Sequence, residues 1–542
     1  MKLKKLFKLL LVIHAVVLSL PVCAQTPNVQ IPLSYQFNQQ LNSAVYSPNN
    51  KFHSSVRGYL ADDSLISGAY NRLINLGVDS TINRSWARRK LTQEHLLDFK
   101  GEDYTVFADI IPDLQIGRDF ASSEGTWLNT RGYQVGGTVG KQLSFYTSGY
   151  ENQGIFARYY QDYIDSANVV PGQLGGGPKL NPRKKDWSYV SALISYTPNK
   201  HLNLALGYDK NFIGDGYRSL LLSDNASNYS FLRLRATLGS VQYQTIFAYM
   251  LDPGAEKLTT DRRIGDRKKW MAAHYLDWNA TNRFSLGFFQ AVVWSDAEEE
   301  GRRGFDFNFI HPFIFLRPVE SANTTSPDKM RLGLNAKYEI LEKTALYGQF
   351  MLEEFSADHF FSGDGYWSNK FAWQLGVKGS DLFKVSRLNY LLEFNAARPY
   401  AYSHFTRITN YAHYNQPLAH PFGANFREVV GILNYSYKRF HFQGELLRAS
   451  YGLDSAGSNY GKDIFLSYYT RESEFGNTIG QGIKTNLYYG EAKIAYLLNP
   501  KTNLRVEVGA IARRESNSIF ARNTNWLTVG LRGSFRNLYT DF

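Results

Sequence analysis

Cysteine, methionine and long apolar runs are scarce in this chain of 542 residues. It contains one cysteine and five methionines, against 37 tyrosines and 36 phenylalanines. Beyond the first two dozen residues, no run approaches the roughly 20 apolar residues that a membrane-spanning helix needs, which excludes a helical membrane protein. The aromatic-rich composition favours pleated, half-buried surfaces and excludes coiled coils and disorder.

Residues 1–24 are predicted to form a secretory signal peptide. Four lysines precede an apolar stretch over 9–20, and Val22-Cys23-Ala24 supplies a small-residue cleavage site. A first membrane helix and a lipidated Cys23 are the alternatives. The apolar run is short for the former, and Pro21 and Val22 stand where lipoprotein processing requires small residues. Cleavage removes 24 residues with four lysines and no acid, leaving a cysteine-free chain of 518 residues with charge +8, so no disulfide framework stabilises it.

From about residue 104 to the end, segments of about 10 to 14 residues alternate apolar and polar side chains. In one of them Val506, Val508 and Ala510 fall on one face, and Arg505 and Glu507 fall on the other. A side-chain period of two is that of a β-strand with two different faces. The last segment repeats the pattern, with one row formed by Leu527, Val529, Leu531 and Phe535 and the other by Thr528, Arg532, Ser534 and Arg536.

The connections between these segments are alternately short and long. The short ones lie at 141–142, 198–200, 239–240, 281–282, 341–343, 438–439 and 499–501, with a longer one near 380–385. The long ones lie roughly at 155–185, 212–228, 253–268, 295–328, 356–370, 398–425, 452–483 and 515–523. Short periplasmic turns and long outer loops are typical of transmembrane β-barrels. We therefore predict an all-β barrel of about 18 antiparallel strands over 101–542 in the cell outer membrane, with a soluble all-β repeat protein as the alternative.

Residues 25–100 differ in kind from the rest of the chain. The pattern predicts a helix that Asp63 or Ser64 caps, that Gly77 follows, and that carries on one face Ile66, Ala69, Tyr70, Leu73 and Ile74. A second helical stretch, basic in its first half, is predicted over 86–99. We expect this segment to be a small helical element that is periplasmic or plugs the barrel.

Neither a nucleotide site nor a metal site is predicted. The glycine clusters at 136–140 and 175–177 lack the following helix and the Lys-Ser/Thr pair of a phosphate cradle. The spacings of His404, His413 and His420 fit no helical or hairpin metal site, and neither they nor His441 have a cysteine to assist them. No G-x-S-x-G motif places a serine nucleophile. We expect no catalytic residue, metal or cofactor, and a barrel hydrolase is the minority hypothesis.

The positive charge does not predict a nucleic-acid site. The arginines that can be placed alternate along strands, toward the lumen, and do not form one helical patch. Inward-facing charged residues would hydrate a wide barrel. The expected partners are outer-membrane lipid and lipopolysaccharide, surface polysaccharide, and motility or surface-assembly proteins, with no nucleic acid.

Two segments of the long loops, 211–226 and 416–425, are rich in Gly, Pro, Asn and Asp and can turn tightly. The first carries Leu220-Leu221-Leu222. A solvent-exposed loop does not normally hold three consecutive leucines, so we predict that this loop folds inward over the lumen and is anchored by packing. The alternative is an extension of the strands above the membrane.

A resemblance to a known family rests on three segments. The order G-D-G-Y-x-S-L-L-L-S-D-N-A from Gly214, followed by P-L-A-H-P-F-G from Pro417, resembles the Wzi-type capsule-assembly proteins and, more closely, the RemB gliding-motility proteins of the Bacteroidetes. The stretch 86–119, with Q-E-H-L-L-D-F and G-E-D-Y, resembles the RemB start. Ala419 and Phe422 depart from the glycine-richer Wzi pattern. The resemblance implies an 18-stranded barrel with a periplasmic helical element and non-catalytic binding of surface polysaccharide at the outer rim.

We therefore predict an outer-membrane surface component for gliding motility or for capsule or exopolysaccharide assembly and attachment. The predicted glycan site on the outer loops consists of Asp215, Tyr217, Arg218, His420 and Asn425. Aromatic rings stack on sugar C–H faces, while Asp, Asn and Arg offer oriented hydrogen bonds to hydroxyls or pair with acidic groups. Packing of the loops around residues 220–222 is the alternative role for these residues. The alternative function is a diffusion channel for sugars or oligosaccharides.

Overall fold

The computed structural model describes residues 29–48, 51–79, 81–173, 183–261, 265–311, 328–455 and 457–542. The predicted signal peptide and the glycine cluster at 175–177 lie outside the described residues. The main sheet has 19 strands, one of which is the short strand Leu97–Lys100 beside the base of the first long strand. The other 18 are antiparallel and form a closed wall, because the last of them pairs with the first. This confirms the predicted barrel.

The wall strands follow one another along the chain and are numbered in that order. They are β1 Tyr104–Asp119, β2 Glu124–Val139, β3 Leu143–Ile155, β4 Lys185–Asn199, β5 Leu202–Asp209, β6 Tyr229–Leu238, β7 Val241–Asp252, β8 Arg267–Asn279, β9 Phe284–Ser295, β10 Lys329–Leu341, β11 Thr344–Glu354, β12 Lys370–Gly379, β13 Leu388–Ala397, β14 Phe426–Tyr437, β15 Phe440–Leu453, β16 Ile483–Asn499, β17 Leu504–Ser516 and β18 Ala521–Arg532. Two small hairpins pair Ala297–Glu298 with Gly301–Arg302 and Ala412–His413 with Gln416–Pro417.

The alternating pattern places side chains as predicted on most of the wall. On β17, Val506 and Val508 are exposed on the outer face while Glu507 and Arg513 are buried in the lumen. The prediction that Phe535 belongs to the outward-facing row is wrong. Phe535 lies beyond β18 and packs on Phe37 of the N-terminal segment, with ring centroids 5.5 Å apart.

The departure of the chain from the sheet after Arg532 has a physical reason. The pairing of β1 with β18 runs from Asp119 to Leu114 on the β1 side and stops there. Two residues further lies Pro112, which has no N–H to donate to a ladder. Beside it stands Gly533, where a Cβ would lie 2.6 Å from the Pro112 carbonyl oxygen. The chain therefore turns into the lumen at this point.

The connections divide between the two rims as predicted. The eight short connections, including the one at 380–387, join strands at the rim where β1 begins and β18 ends. The long loops lie at the other rim. Two connections there are short: 120–123, which was not predicted, and 517–520, which was predicted to be longer. Both flank the seam between β1 and β18.

Exposed aromatic side chains form two belts on the outer face of the barrel, as interfacial residues of membrane barrels do. The belt near the short turns contains Trp278, Tyr338, Tyr437, Phe440 and Tyr496. The belt near the long loops contains Phe350, Phe355, Phe360 and Tyr488. The band between them is the surface that faces lipid.

The helices are short and lie mostly in the N-terminal segment. They are Tyr35–Asn38, Asn42–Val45, Ser67–Ile74, Trp86–Thr92, Arg158–Ala167 and Ala357–Ser362, with 3₁₀ turns at Gln39–Leu41, Phe307–Ile310, Leu382–Lys384, Arg407–Thr409 and Tyr468–Thr470. Among the described residues, none of these helices has the length and apolar character to cross a membrane.

The first predicted helix is confirmed, but its predicted cap by Asp63 or Ser64 is wrong, because the helix begins at Ser67 and Ile66 occupies the N-cap position without a side-chain hydrogen bond. The second predicted helix is corrected. Ser67–Ile74 packs its Ala69, Tyr70, Leu73 and Ile74 against the cluster around Phe37. The stretch predicted to be helical over 86–99 is helical only over Trp86–Thr92. Residues 97–100 form a strand with Thr105–Ala108, because this edge of β1 is left unpaired by β18.

The N-terminal segment enters the barrel. Its residues 52–61 are buried or nearly so. The imidazole of His53 lies 2.7 Å from Asp277 of the wall, and Tyr275 donates a hydrogen bond to Ser55 over 3.0 Å. Further along the chain, Asn499 donates hydrogen bonds to the carbonyls of Lys90 and Glu94, so the second helix lies at the rim of the short turns.

The orientation of the barrel gives a testable result. An epitope inserted at Gly457, in the loop 454–482, is expected to bind antibody on intact cells, whereas one inserted at Gly239, in the turn between β6 and β7, should bind only after permeabilisation. Both glycines have positive φ, and a Cβ added at either would have no heavy atom within 4 Å, so both sites tolerate insertion. Antibody labelling of the Gly239 epitope on intact cells would reverse the assigned orientation.

Candidate functional site

The loop between β5 and β6 fills the middle of the lumen. Every residue from 210 to 228 is buried, and Leu220, Leu221 and Leu222 have no exposed surface. Tyr402 and Tyr411 of the loop 398–425 donate hydrogen bonds to the carbonyls of Leu220 and Leu221 over 2.9 and 2.6 Å. The predicted inward fold of this loop is confirmed.

Asp215 joins two other parts of the protein, the N-terminal segment and the barrel wall. Its carboxylate accepts hydrogen bonds from Tyr46 and Ser54 of the N-terminal segment, over 3.0 and 2.6 Å, and from Asn335 of β10 over 3.2 Å. Burial alone would raise the pKa of Asp215, but the nearby ammonium groups of Lys337 and Lys378, with these hydrogen bonds, hold it below its ordinary value. Asp215 is therefore an ionised anchor for the plugging segments.

The glycines on both sides of Asp215 permit this close fit. A Cβ at Gly214 would lie 2.3 Å from the amide nitrogen of Gln349, and one at Gly216 would lie 2.3 Å from a carboxylate oxygen of Glu393. A side chain at either position would displace Gln349 or Glu393 from its hydrogen bond to the loop.

Arg218 stands at the centre of a buried ion-pair network. Its guanidinium donates to Asp541 over 2.6 Å and to Glu428 over 3.4 Å, and it is only 4% exposed. Burial by itself lowers the pKa of Arg218, but these two carboxylates raise it well above the usual value. Tyr217 donates to the same Asp541 oxygen over 3.0 Å, and its ring lies 4.8 Å from that of Tyr35.

His420 reaches the same network from the second motif. Its Nδ1 accepts a hydrogen bond from the Phe422 amide over 3.1 Å, so its Nε2 donates to Glu428 over 2.7 Å. Burial lowers the pKa of His420 despite the neighbouring carboxylate. Glu428 thus joins His420 to Arg218, which brings together two motifs about 200 residues apart.

Asn425 does not join this network. Its side-chain amide donates to the carbonyls of Gly452 and Gln481 over 3.1 and 3.0 Å, and its oxygen accepts from the Gly480 amide over 2.7 Å. Its own backbone is left-handed, with φ +56°. Asn425 therefore ties the start of β14 to the loop 454–482.

None of the five predicted glycan-site residues is more than 7% exposed. In this conformation each one binds other parts of the protein, which agrees with the alternative role in loop packing. Direct binding of a glycan by these five side chains stays a prediction.

The clustered histidines have no metal-site geometry. Burial lowers the pKa of His404 to about 2 and that of His413 to about 4, so both are neutral. His404 contacts Thr409, and His413 lies 3.0 Å from the carbonyl oxygen of Asn228. In the part of the chain that the structure describes, no group of three His, Cys, Asp or Glu side chains could hold a metal ion.

Sequence reasoning missed the acidic partners of this network. Glu393 and Glu428 lie on β13 and β14, and Asp541 lies in the tail 533–542 that folds back into the lumen. The alternating strand pattern predicts that both glutamates face the lumen. No feature of the sequence near them shows that they contact Arg218. A cavity of about 160 Å³ remains beside the tail, lined in part by Tyr35, Glu445 and Asp541.

The outer loops carry a second cluster, which is accessible. Tyr469 is 68% exposed and stacks on Phe405 with ring centroids 5.6 Å apart. Phe475, 49% exposed, lies 5.5 Å from the rings of both Tyr366 and His359. We call these five residues the outer aromatic surface.

Backbone hydrogen bonds join two of the loops that carry the outer aromatic surface. The loops 355–369 and 454–482 are joined by Trp367 to Glu474, by Gly476 to Asp364 and by Asn477 to Gly365, at 2.8 to 2.9 Å. The imidazole of His359 lies 2.6 Å from the Asp364 carboxylate. Arg398 donates to the carbonyls of Tyr366 and Asn477 over 3.2 and 3.3 Å.

Comparison with known protein families decides the relationship. The model of the capsule assembly protein Wzi family matches residues 121–490, which is more than half of the chain. The chain belongs to the Wzi family. The matched range includes both loop motifs and the outer aromatic surface.

Solved structures agree with the Wzi fold. This Wzi-family chain is similar to Wzi of Escherichia coli, described as an outer-membrane protein involved in group 1 capsule assembly and a carbohydrate-binding β-barrel. The identity is 12%, the TM-score is 0.53, and the match covers 94% of this chain and 100% of that one. At this identity the likeness shows the fold alone.

Weaker similarities extend to two other solved structures. Pseudomonas aeruginosa OprD has 9% identity and a TM-score of 0.41, over 80% of this chain and 96% of its own. Acinetobacter baumannii OccAB2 has the same identity and TM-score, over 80% and 99%. No curated protein matches the chain. With its closed barrel and its family, this Wzi-family protein is an outer-membrane protein.

Proposed function

We propose that this Wzi-family barrel binds surface polysaccharide at its extracellular loops without catalysis, and so holds the polymer at the cell surface. The role is in capsule or exopolysaccharide assembly and attachment, or in gliding motility as in the RemB proteins that the motifs resemble. The observation that carries the proposal is the outer aromatic surface, because exposed aromatic rings on a rigid support are what a sugar ring stacks on.

The surroundings of these rings suit a polymer of sugars. Two separate faces, one at Tyr469 and one at Phe475, could stack successive residues of a chain. Asp364 lies 2.6 Å from the His359 imidazole, and Arg471 and Glu472 follow Tyr469 in the chain. Their carboxylates and guanidinium offer acceptors and a donor for hydroxyl or acidic groups. The binding is reversible recognition, since it needs no nucleophile or metal.

The buried network supports this surface from below. The loop 398–425 contacts the Leu220–Leu222 loop on its inner side. On its outer side Tyr400 donates its amide hydrogen to the carbonyl of Gly461 and its hydroxyl hydrogen to the carbonyl of Asn459, both in the loop 454–482. We propose that Asp215, Tyr217, Arg218 and His420 act mainly by fixing this stack of loops. Their direct contact with glycan would need the loops to open.

The N-terminal segment is proposed to act as a plug. Gly214 donates its amide hydrogen to the Ser55 carbonyl over 2.7 Å, and the Arg57 guanidinium lies 3.9 Å from the Phe212 ring centroid. Arg235 of the wall donates to the carbonyls of Arg57 and Gly58, both over 3.2 Å. A lumen filled in this way favours a binding barrel over a diffusion channel.

The test removes the two stacking faces. Tyr469→Ala with Phe475→Ala is expected to weaken binding of purified surface polysaccharide about tenfold or more, because each ring contributes roughly 0.5–1.5 kcal/mol and 1.4 kcal/mol is a factor of ten. Polymer retained by cells should fall in parallel. The measurement is binding by the folded protein, checked by heat-modifiable gel mobility.

The matched control is Phe307→Ala, which removes a 77%-exposed aromatic ring from a different outer loop. Unchanged binding in the double variant would contradict the proposal, as would an equal loss in the control. If the double variant keeps the polymer but folded Tyr217→Ala with Arg218→Ala loses it, the inner residues are the glycan site. If cells with the double variant lose gliding motility but keep their surface polymer, the result would favour the motility role.

A further inference from the structure

A groove of about 730 Å³ lies on the lipid-facing side of the barrel, across β13 to β18. Its floor follows one row of paired residues on neighbouring strands, Gly431, Leu446, Gly490 and Ala512. The next row toward the short turns continues with Gly444, Ala492 and Ala510. Most barrels fill this band with large apolar side chains, so the small residues here leave a depression in the wall.

Two arginines flank the groove at its end toward the outer loops. Arg448 on β15 and Arg514 on β17 both pair in register with Tyr488 on β16, and all three side chains are exposed on the outer face. The Arg448 guanidinium lies 5.5 Å from the Tyr488 ring centroid. Within the described residues, neither arginine has a carboxylate partner, whereas the lumenal Arg532 pairs with Asp113 and Glu507.

The depth of this row places its backbone in the outer leaflet, a few ångström below the head groups, which the long side chain of an arginine can reach. Arg448 is eight residues along β15 from Phe440 of the lower aromatic belt. At about 3.3 Å per residue and a tilt of about 40°, that is roughly 20 Å along the membrane normal, against an apolar band of about 25 Å. Tyr488 belongs to the upper belt. The two guanidinium groups therefore lie at the level of the outer leaflet.

We propose that this groove binds a phosphorylated glycolipid of the outer leaflet, the lipid A part of lipopolysaccharide. An acyl chain would lie on the floor of glycines and alanines, and phosphate groups would pair with Arg448 and Arg514. The two arginines are two strands apart, roughly 10 Å, so each can hold a separate phosphate. Asn523 and Asn525, which line the groove beside Arg514, offer hydrogen bonds to sugar hydroxyls.

Charge and composition favour this occupant over a phospholipid. A phospholipid has one phosphate and no sugar ring, and would use only one of the two guanidiniums and neither asparagine. Arginine binds phosphate through two parallel hydrogen bonds, which a head group at the membrane surface can accept without leaving the leaflet. The site is on the opposite face of the wall from the lumenal network, and its occupancy does not depend on polysaccharide binding by the loops.

Two variants test the floor and the charges separately. Gly490→Phe fills the groove. The atom nearest to a Cβ added at Gly490 would be a side-chain carbon of Leu446, 3.4 Å away, so the barrel can accept the ring. Arg448→Glu with Arg514→Glu reverses the charge. The control is Arg118→Glu, an exposed arginine near the outer end of β1 that does not line the groove, although β1 pairs with β18 beside it.

Each protein is purified in mild detergent from cells that make lipopolysaccharide, its fold is confirmed by heat-modifiable mobility, and retained glycolipid is measured by native mass spectrometry. Binding to vesicles containing lipopolysaccharide is then compared with binding to phosphatidylglycerol vesicles. Wild type and the Arg118 variant should retain the glycolipid, and the two groove variants should retain at least tenfold less. No retention by wild type, equal retention by the groove variants, or equal binding of phosphatidylglycerol would overturn the proposal.

Discussion

Replacing Arg218 with alanine is expected to lower the free energy of unfolding by about 3–5 kcal/mol, because it leaves buried carboxylates without their counter-charge. Asp541 and Glu428 are at most 2% exposed, so water cannot take the place of the guanidinium. A buried ion pair adds little net stability over an apolar core, but removing one member is costly. Urea unfolding in lipid vesicles, followed by heat-modifiable mobility, measures the change.

The matched control is Arg427→Ala, an arginine that precedes Glu428 but is exposed on the outer face of the same strand. Its loss should change the unfolding free energy by no more than about 0.5 kcal/mol, as is usual for surface substitutions. If the two variants are equally stable, Arg218 does not anchor the network, and its side chain is free for a ligand.

Wild-type protein in a planar bilayer is expected to show no conductance steps of an open barrel, whereas a variant with residues 211–226 replaced by a short Gly-Ser linker should conduct. Barrels of 16 to 18 strands leave an aqueous channel when nothing fills them. Here residues 52–61, the loop 210–228 and the tail 533–542 occupy the lumen. Without the loop, polar wall residues such as Gln349 and Lys378 would face water.

The same linker placed over 297–302, an outer hairpin away from the lumen, is the control and should stay closed. Open-barrel steps from the wild-type protein would favour the diffusion channel for sugars. A folded loop variant that remains closed would mean that the N-terminal segment and the tail suffice to block the lumen.

The wall of the barrel could be predicted from the sequence because its signal is local and repeated. Alternation such as that of Val506 and Glu507 needs only the pleat of a strand and lipid on one side. The alternation of short and long connections then predicts which strand ends lie at each rim of the barrel. The course of residues 533–542 could not be predicted in this way, since parity alone extends β18 to Phe535 and only the distant Pro112 ends the pairing.

The candidate site was predictable in part. The leucines at 220–222 indicate an inward loop, and this loop carries Asp215 and Arg218 with it. The composition of this loop suits a sugar site equally well, because Asp, Tyr and Arg side chains can either bind a glycan or form buried contacts that hold the loop in place. The positions of Glu393 and Asp541 distinguish loop packing from glycan binding, and Glu393 lies 175 residues beyond Arg218 in the chain. No local pattern encodes such a pairing. The outer aromatic surface was missed because its rings come from three loops.

The ion pair of Arg218 and Asp541 also bears on how the barrel is made. The two residues are 323 positions apart, so the pair cannot form until the last segment of the chain has entered the barrel. Contacts of such separation form late in folding. A chain that stops before Asp541 keeps a buried guanidinium short of one partner, and its native state is less stable. A barrel that lacks this contact spends a larger fraction of its time unfolded, and the unfolded state is the one that proteases cleave.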